Sequence, residues 1–136
     1  MLSKYGNFRG VFTKDRLPDT ISDDEIGVVN FDNSDGNGTH WVAYFNSSGL
    51  PENEHVIYFD SYGLPAPEEI KKYLKTSGKK IKYNTGEIQN VDSIMCGYYC
   101  IHVLDQLMNG KKFSDILLEF KPFPSKENEW KIKNIF

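Results

Sequence analysis

Cys96 is the residue in this chain whose neighbours best equip it to act as a nucleophile. It opens the segment Cys96 to Asn109 (CGYYCIHVLDQLMN), whose apolar residues recur at helical spacing. In the first turn of a helix, unpaired amides and the macrodipole favour a thiolate. Gly97 follows and leaves room for a backbone to approach the sulfur. The ordinary alternative is a buried thiol, which is the reading for Cys100, one turn further along the apolar face.

A nucleophilic thiol needs a base, and the chain has three histidines. His102 lies ~9 Å of helical rise and ~120° of rotation beyond Cys96, out of reach of its sulfur. His55 sits in the polar stretch GLPENEHV and reads as a solvated side chain. His40 remains by elimination, directly before Trp41 and after the Gly-rich loop Asp32 to Thr39.

Two strand-like runs, His40 to Phe45 and Val56 to Asp60, flank the polar loop NSSGLPENE. If they pair antiparallel with Val42 opposite Tyr58, Tyr44 faces Val56 and His40 faces Asp60. Opposed residues on one sheet face hold their Cβ atoms ~4.5–5.5 Å apart, so the carboxylate could accept a hydrogen bond from the imidazole. An accidental His–Asp pair would look the same. A donor for the oxyanion of acyl transfer could come from helix-start amides and from a side-chain amide. Gln89 and Asn90 both compete for that role in the segment leading to Cys96, where each also reads as an ordinary loop residue.

The elements that must position these groups follow from local pattern. Ile26 to Phe31 reads as a buried strand, and Asp32 to Thr39 as a turn-rich loop. That loop lacks the Gly spacing and the closing Glu of a calcium site, having Ala43 where the bidentate carboxylate belongs. Pro67 to Lys75 reads as a helix opened by Pro and two Glu and closed by Gly78, and Ile81 to Tyr83 as a strand. On the Cys96 helix, Gly97, Cys100, Ile101, Leu104, Leu107 and Met108 form the expected apolar face, with Asp92 or Ser93 as cap. Phe113 to Phe120 reads as a short helix, and the tail beyond it carries no clear pattern. Segregated strands and helices indicate an α+β domain.

The 136 residues, 39% apolar and 14% aromatic, suffice for one domain spanning 1–136. Sixteen Lys plus Arg against nineteen Asp plus Glu give a net charge of −3, so no global basic field recruits nucleic acid. Lys71, Lys72, Lys75, Lys79, Lys80 and Lys82 cluster locally, as a solvated helix face usually does. No apolar stretch approaches the ~20 residues of a membrane span, and MLSKYGNFRG lacks the apolar segment of a secretory signal. The expectation is a soluble intracellular protein with reduced thiols, whose sequons at Asn37 and Asn46 are chance matches.

Taken together, His40-Trp41 after a Gly-rich loop, Tyr58-Phe59-Asp60-Ser61-Tyr62-Gly63, and Gln89 with Cys96-Gly97-Tyr98-Tyr99-Cys100 resemble the adenovirus-type (adenain) cysteine proteases. Relatives of that family occur in large DNA transposons and virophages, and its clan includes the ubiquitin-like-protein proteases. The order His, acid, Gln, Cys distinguishes it from papain-type enzymes, where Cys precedes His. Phe8 to Phe12 with Asp15 to Pro18 resembles the lead-in to the first strand of these proteases, so the match covers roughly residues 8 to 120.

The resemblance implies a papain-like fold with a small, mostly antiparallel sheet packed against the Cys96 helix. It implies His40 as general base, Asp60 as its partner, Gln89 as oxyanion donor and Cys96 as nucleophile, with no metal or other cofactor. The implied substrates are viral or capsid precursor proteins cut near Gly, in infected cells or virions, and not at a membrane. A ubiquitin-like tail, or a catalytically dead fold used as a binding module, are the alternatives. Family members can also take an activating peptide or DNA as partner. The peptide is joined through a Cys upstream of the nucleophile, however, and no Cys precedes Cys96 here. Asp60 itself is more typical of the ubiquitin-like branch than of adenoviral enzymes, which often use Glu.

Overall fold

The computed structural model describes residues 2–32, 40–89, 96–121 and 125–136. Five strands form one sheet in chain order: β1 (Phe8–Thr13), β2 (Ile26–Asn30), β3 (Trp41–Phe45), β4 (His55–Phe59) and β5 (Lys80–Tyr83). The central pairings β2–β3 and β3–β4 are antiparallel, as the hairpin pattern predicts. Both edge pairings, β1–β2 and β4–β5, are parallel, so the sheet is mixed. Parallel neighbours need a crossover. For β4 and β5 it is helix α1 (Glu68–Lys75), which packs on one face of the sheet. The segment Phe8 to Phe12, expected to lead into the first strand, is itself the edge strand.

Period-two alternation separates two apolar layers. Val42 and Tyr44 of β3 with Val56 and Tyr58 of β4 point toward α1, where Ile70, Tyr73 and Leu74 meet them at helical spacing. Ala43, Phe45, Ile57 and Phe59 point the other way, onto α2 (Cys96–Met108), α3 (Phe113–Leu117) and α4 (Lys126–Ile135). Each fully buried large side chain in these layers contributes ~1.5–3 kcal/mol.

The buried face of α2 is Cys96, Tyr99, Cys100, Val103, Leu104 and Leu107, together with His102. The expected face was centred too far toward Gly97, Ile101 and Met108, which are only half-buried. Tyr99, fully buried and packed against Phe120, lies on the buried face instead. The proposed caps Asp92 and Ser93 lie outside the described residues, as do Asn90 and the sequon at Asn37. Asn46 of the other sequon is buried and donates to the Ser22 carbonyl.

The tail, which shows no clear pattern in the sequence, holds the helix α4. Ser125 caps α4 by accepting from the Asn128 amide, and Glu127 and Glu129 occupy its first turn. Ile132 is then buried in the α2 layer. No helix among the described residues is long and apolar enough to cross a membrane.

Candidate active site

Asp60 and His40 lie just past the ends of β4 and β3 on the sheet face shared with Tyr44 and Tyr58. The hairpin register differs from the expected one by two residues. Tyr44 pairs with Tyr58 and Ala43 with Phe59, so Asp60 is not directly opposite His40. A slip of one residue would turn every side chain to the other face, whereas a slip of two preserves sidedness. Apolar pattern fixes only the parity, which is why the assumed register failed and the pair still meets.

His40 Nε2 donates to Asp60 Oδ1 at 2.6 Å. Continued past the strand ends, the observed register puts Tyr62 across from His40, and the rings stack with centroids 4.3 Å apart at 17°. Phe31 meets the imidazole edge-on at 4.8 Å. The ring is therefore held by two aromatic contacts as well as by the carboxylate.

Asp60 is fully buried, and four further bonds fix it, one of them from the Gly63 amide to its carbonyl at 2.8 Å. Its Oδ1 also accepts from the Tyr62 amide at 2.9 Å. Asn84, at the exit of β5, brackets its backbone: the Asp60 amide donates to Asn84 Oδ1 at 3.0 Å, and Asn84 Nδ2 donates to the Asp60 carbonyl at 2.6 Å. Asn84 was not singled out from the sequence. A polar residue directly after a strand is the only signal it leaves.

Cys96 begins α2 and is buried against His40. Burial pushes its thiol pKa up, but the His40 imidazole and the backbone amides of Trp41 and Gly97 together outweigh this and hold it below the usual thiol value. Burial likewise pushes His40 down. Its bond to Asp60 and the neighbouring Cys96 sulfur prevail, raising it from 6.5 to about 9. The pair therefore favours thiolate with imidazolium. With Nε2 committed to Asp60, Nδ1 is the ring nitrogen available to the sulfur, and it makes no hydrogen bond among the described residues.

Cys100 is fully buried, with Sγ donating to the Trp41 carbonyl at 3.4 Å, and burial pushes its thiol well above the ordinary value. Both cysteines are free. His102 pairs with Glu119 at 3.1 Å, and His55 is half-buried at the start of β4.

Gln89 is fully buried and sits beside the Asp60 turn. Its backbone amide donates to the Ser61 carbonyl at 3.0 Å, and its Oε1 accepts from the Ser61 hydroxyl. The structure thus bonds His40 to Asp60, sets the Cys96 sulfur beside the imidazole, and ties Gln89 to the Asp60 turn through Ser61. Among the described residues, no group of three or more His, Cys, Asp or Glu could hold a metal ion.

An apolar groove of about 480 Å³ runs up to the Cys96 end of α2, with Phe8, Val11, Val28, Trp41, Gly97 and Ile101 among its walls. Elsewhere two of the six clustered lysines pair with carboxylates and a third bonds a carbonyl. Lys71 pairs with Glu68, Lys82 with Glu52, and Lys79 donates to the Ser47 carbonyl.

No protein-family model and no curated protein matches the sequence. Among solved structures, the selenomethionine crystal structure of the ASFV pS273R protease matches with a TM-score of 0.57 and 20% identity, over 78% of this chain and 42% of that one. A second crystal structure of that protease matches with a TM-score of 0.59 and 17% identity, over 76% of this chain and 39% of that one. The chain thus spans about two-fifths of the length of these neighbours. In architecture, a mixed five-stranded sheet packed against the helix that Cys96 opens, it has the papain-like fold of a cysteine protease.

Proposed function

We propose that the protein is a cysteine endopeptidase that hydrolyses peptide bonds through an acyl-enzyme, processing viral or capsid precursor proteins at Gly-containing sites. The observation that carries this reading is one chain of contacts. A buried Asp60 bonds His40 at 2.6 Å, and His40 in turn holds the Cys96 thiol below its ordinary pKa at the start of a helix.

In this reading the Cys96 thiolate attacks the scissile carbonyl carbon, and the electron pair moves onto the carbonyl oxygen. Gln89 and helix-start amides stabilise that oxyanion. Collapse expels the amine, which takes its proton from the His40 imidazolium and leaves a thioester on Cys96. Neutral His40 then removes a proton from water as it attacks the thioester. The acid product departs, and the thiolate–imidazolium pair is restored. Asp60 fixes the ring and favours its charged form throughout. The apolar groove beside Gly97 suits a polypeptide that offers a neutral apolar side chain close to the bond being cut.

The test is incubation with a capsid precursor encoded alongside the protein and, in parallel, with ubiquitin-family conjugates. Cleavage of the precursor at mapped Gly-containing sites, abolished by Cys96→Ala, is the expected result. Cleavage of the conjugates alone would assign the ubiquitin-like rival, and cleavage of neither would leave a binding module.

A further inference from the structure

The residue after the acid is as closely built into the site as the acid itself. Ser61 is fully buried, and its backbone carbonyl accepts from two successive amides, Ile88 at 2.9 Å and Gln89 at 3.0 Å. Its hydroxyl donates to Gln89 Oε1, the one acceptor for that proton among the described residues. The turn carrying it cannot drift. Gly63 has φ +69°, and a Cβ there would meet the Thr85 carbonyl oxygen at 2.7 Å and the Gly86 carbonyl carbon at 2.9 Å. Asn84 clamps the backbone of the preceding Asp60 from the same loop.

A primary amide has two ends of nearly equal size and opposite polarity. An oxyanion is stabilised by the N–H end and repelled by the carbonyl end. With Oε1 held by the Ser61 hydroxyl, rotation of the amide by half a turn would make that hydroxyl an acceptor of Nε2 and take from its proton the acceptor it has among the described residues. Leaving such a donor unmade is costly.

We propose that Ser61 is a positioning residue that selects which end of the Gln89 amide faces the developing oxyanion. This rests on the protease reading above. Asp60 and Ser61, adjacent in sequence, then serve opposite sides of the reaction: one orients the base, the other the oxyanion donor.

The test is a double-mutant cycle on turnover of a cleavable peptide, with Cys96 alkylation by iodoacetamide as a readout that needs no oxyanion donor. Ser61→Ala should lower kcat about tenfold and leave KM within about twofold. The pH dependence of alkylation should not move, because His40 and Asp60 are untouched. Gln89→Ala should cost about a hundredfold, and Ser61→Ala in that background should cost nothing further. Ser61→Cys, of similar volume but a far weaker donor, should reproduce the loss of kcat if the alanine variant melts early. Losses that multiply in the double variant, or an unchanged kcat in Ser61→Ala, would overturn the role. A wild-type protein that hydrolyses no peptide would instead overturn the protease reading on which it depends.

Discussion

His40 and Asp60 meet at 2.6 Å with the carboxylate wholly shielded from water, and the imidazole that results has its pKa raised to about 9. A charged ring of that kind holds a neighbouring sulfur as thiolate, so the two cysteines should differ sharply in reactivity. Iodoacetamide near neutral pH should modify Cys96 and spare Cys100, whose thiol is fully buried and pushed upward by burial. Peptide mass mapping reads this directly. Cys96→Ala should abolish hydrolysis at a stability cost within ~1–2 kcal/mol, and Cys100→Ala should remain active. Loss of labelling in Cys100→Ala, without unfolding, would transfer the nucleophile to the wrong helical turn.

The same pair sets the pH behaviour. Activity should fall in acid as the thiolate takes a proton, and above about pH 9 as His40 loses the proton destined for the leaving amine. Folding follows with a definite sign. Because the folded pKa of His40 lies above its ordinary 6.5, its contribution to stability is complete below that value and is lost as pH rises toward about 9. Melting of wild type and His40→Gln across that interval should converge toward the alkaline end. Parallel curves would separate the imidazolium from stability.

Asp60→Asn keeps the shape of the acid and removes its charge. His40 should titrate lower, the alkaline limb of the rate profile should move to lower pH, and the alkylation pKa of Cys96 should rise. Turnover should fall by at least ~100-fold while KM changes little, because the tautomer and charge of the ring are disturbed rather than substrate contacts. An unshifted profile would mean that Tyr62 stacking and Phe31 alone hold the ring.

How far these residues could be read in the sequence depends on what fixes each one. Cys96 announces itself through the helical pattern that follows it, and His40 through its place at a strand entrance. The alternation of β3 and β4 carries Asp60 to the same face as His40, but alternation repeats every two residues and so cannot choose between Asp60 and Tyr62 as the residue opposite. The parallel edge pairings are equally silent, because nothing in β1 or β5 alone states its partner. Asn84 and Ser61 act through bonds to backbone and to a side-chain carbonyl across more than twenty residues of chain, and no local pattern encodes such a bond. The α4 helix escapes a sequence reading because its cap, Ser125, follows two prolines and only Ile132 of its residues joins the apolar core.

A second buried carboxylate provides a control on stability. Glu25 accepts from the hydroxyls of Tyr44 and Tyr73, from the Ser22 amide and from Arg9. Burial pushes its pKa up, and those four donors together bring it below the usual 4.5, so its contribution is present above that value and lost as pH falls through its lowered pKa. Glu25→Gln removes the charge and an acceptor for the phenols, which should cost ~3 kcal/mol. Denaturant unfolding measures it. Labelling of Cys96 should be unchanged, since Glu25 binds side chains of the α1 layer rather than the His40–Asp60 pair.

The groove beside Gly97 makes a prediction about selectivity rather than rate. Its walls near Gly97 are apolar, with Val11 more than half exposed among them. A substrate side chain seated there gains ~1.5–3 kcal/mol if aliphatic or aromatic, and a charged one gains nothing and must be desolvated. Cleavage of a peptide library should therefore show an apolar preference at one fixed position near the scissile bond. Val11→Asp places a carboxylate in that wall without disturbing the core, so it should raise KM about tenfold for the preferred peptides while kcat and melting temperature hold. A library profile unchanged by Val11→Asp would mean that the substrate approaches Cys96 from the other side of Trp41.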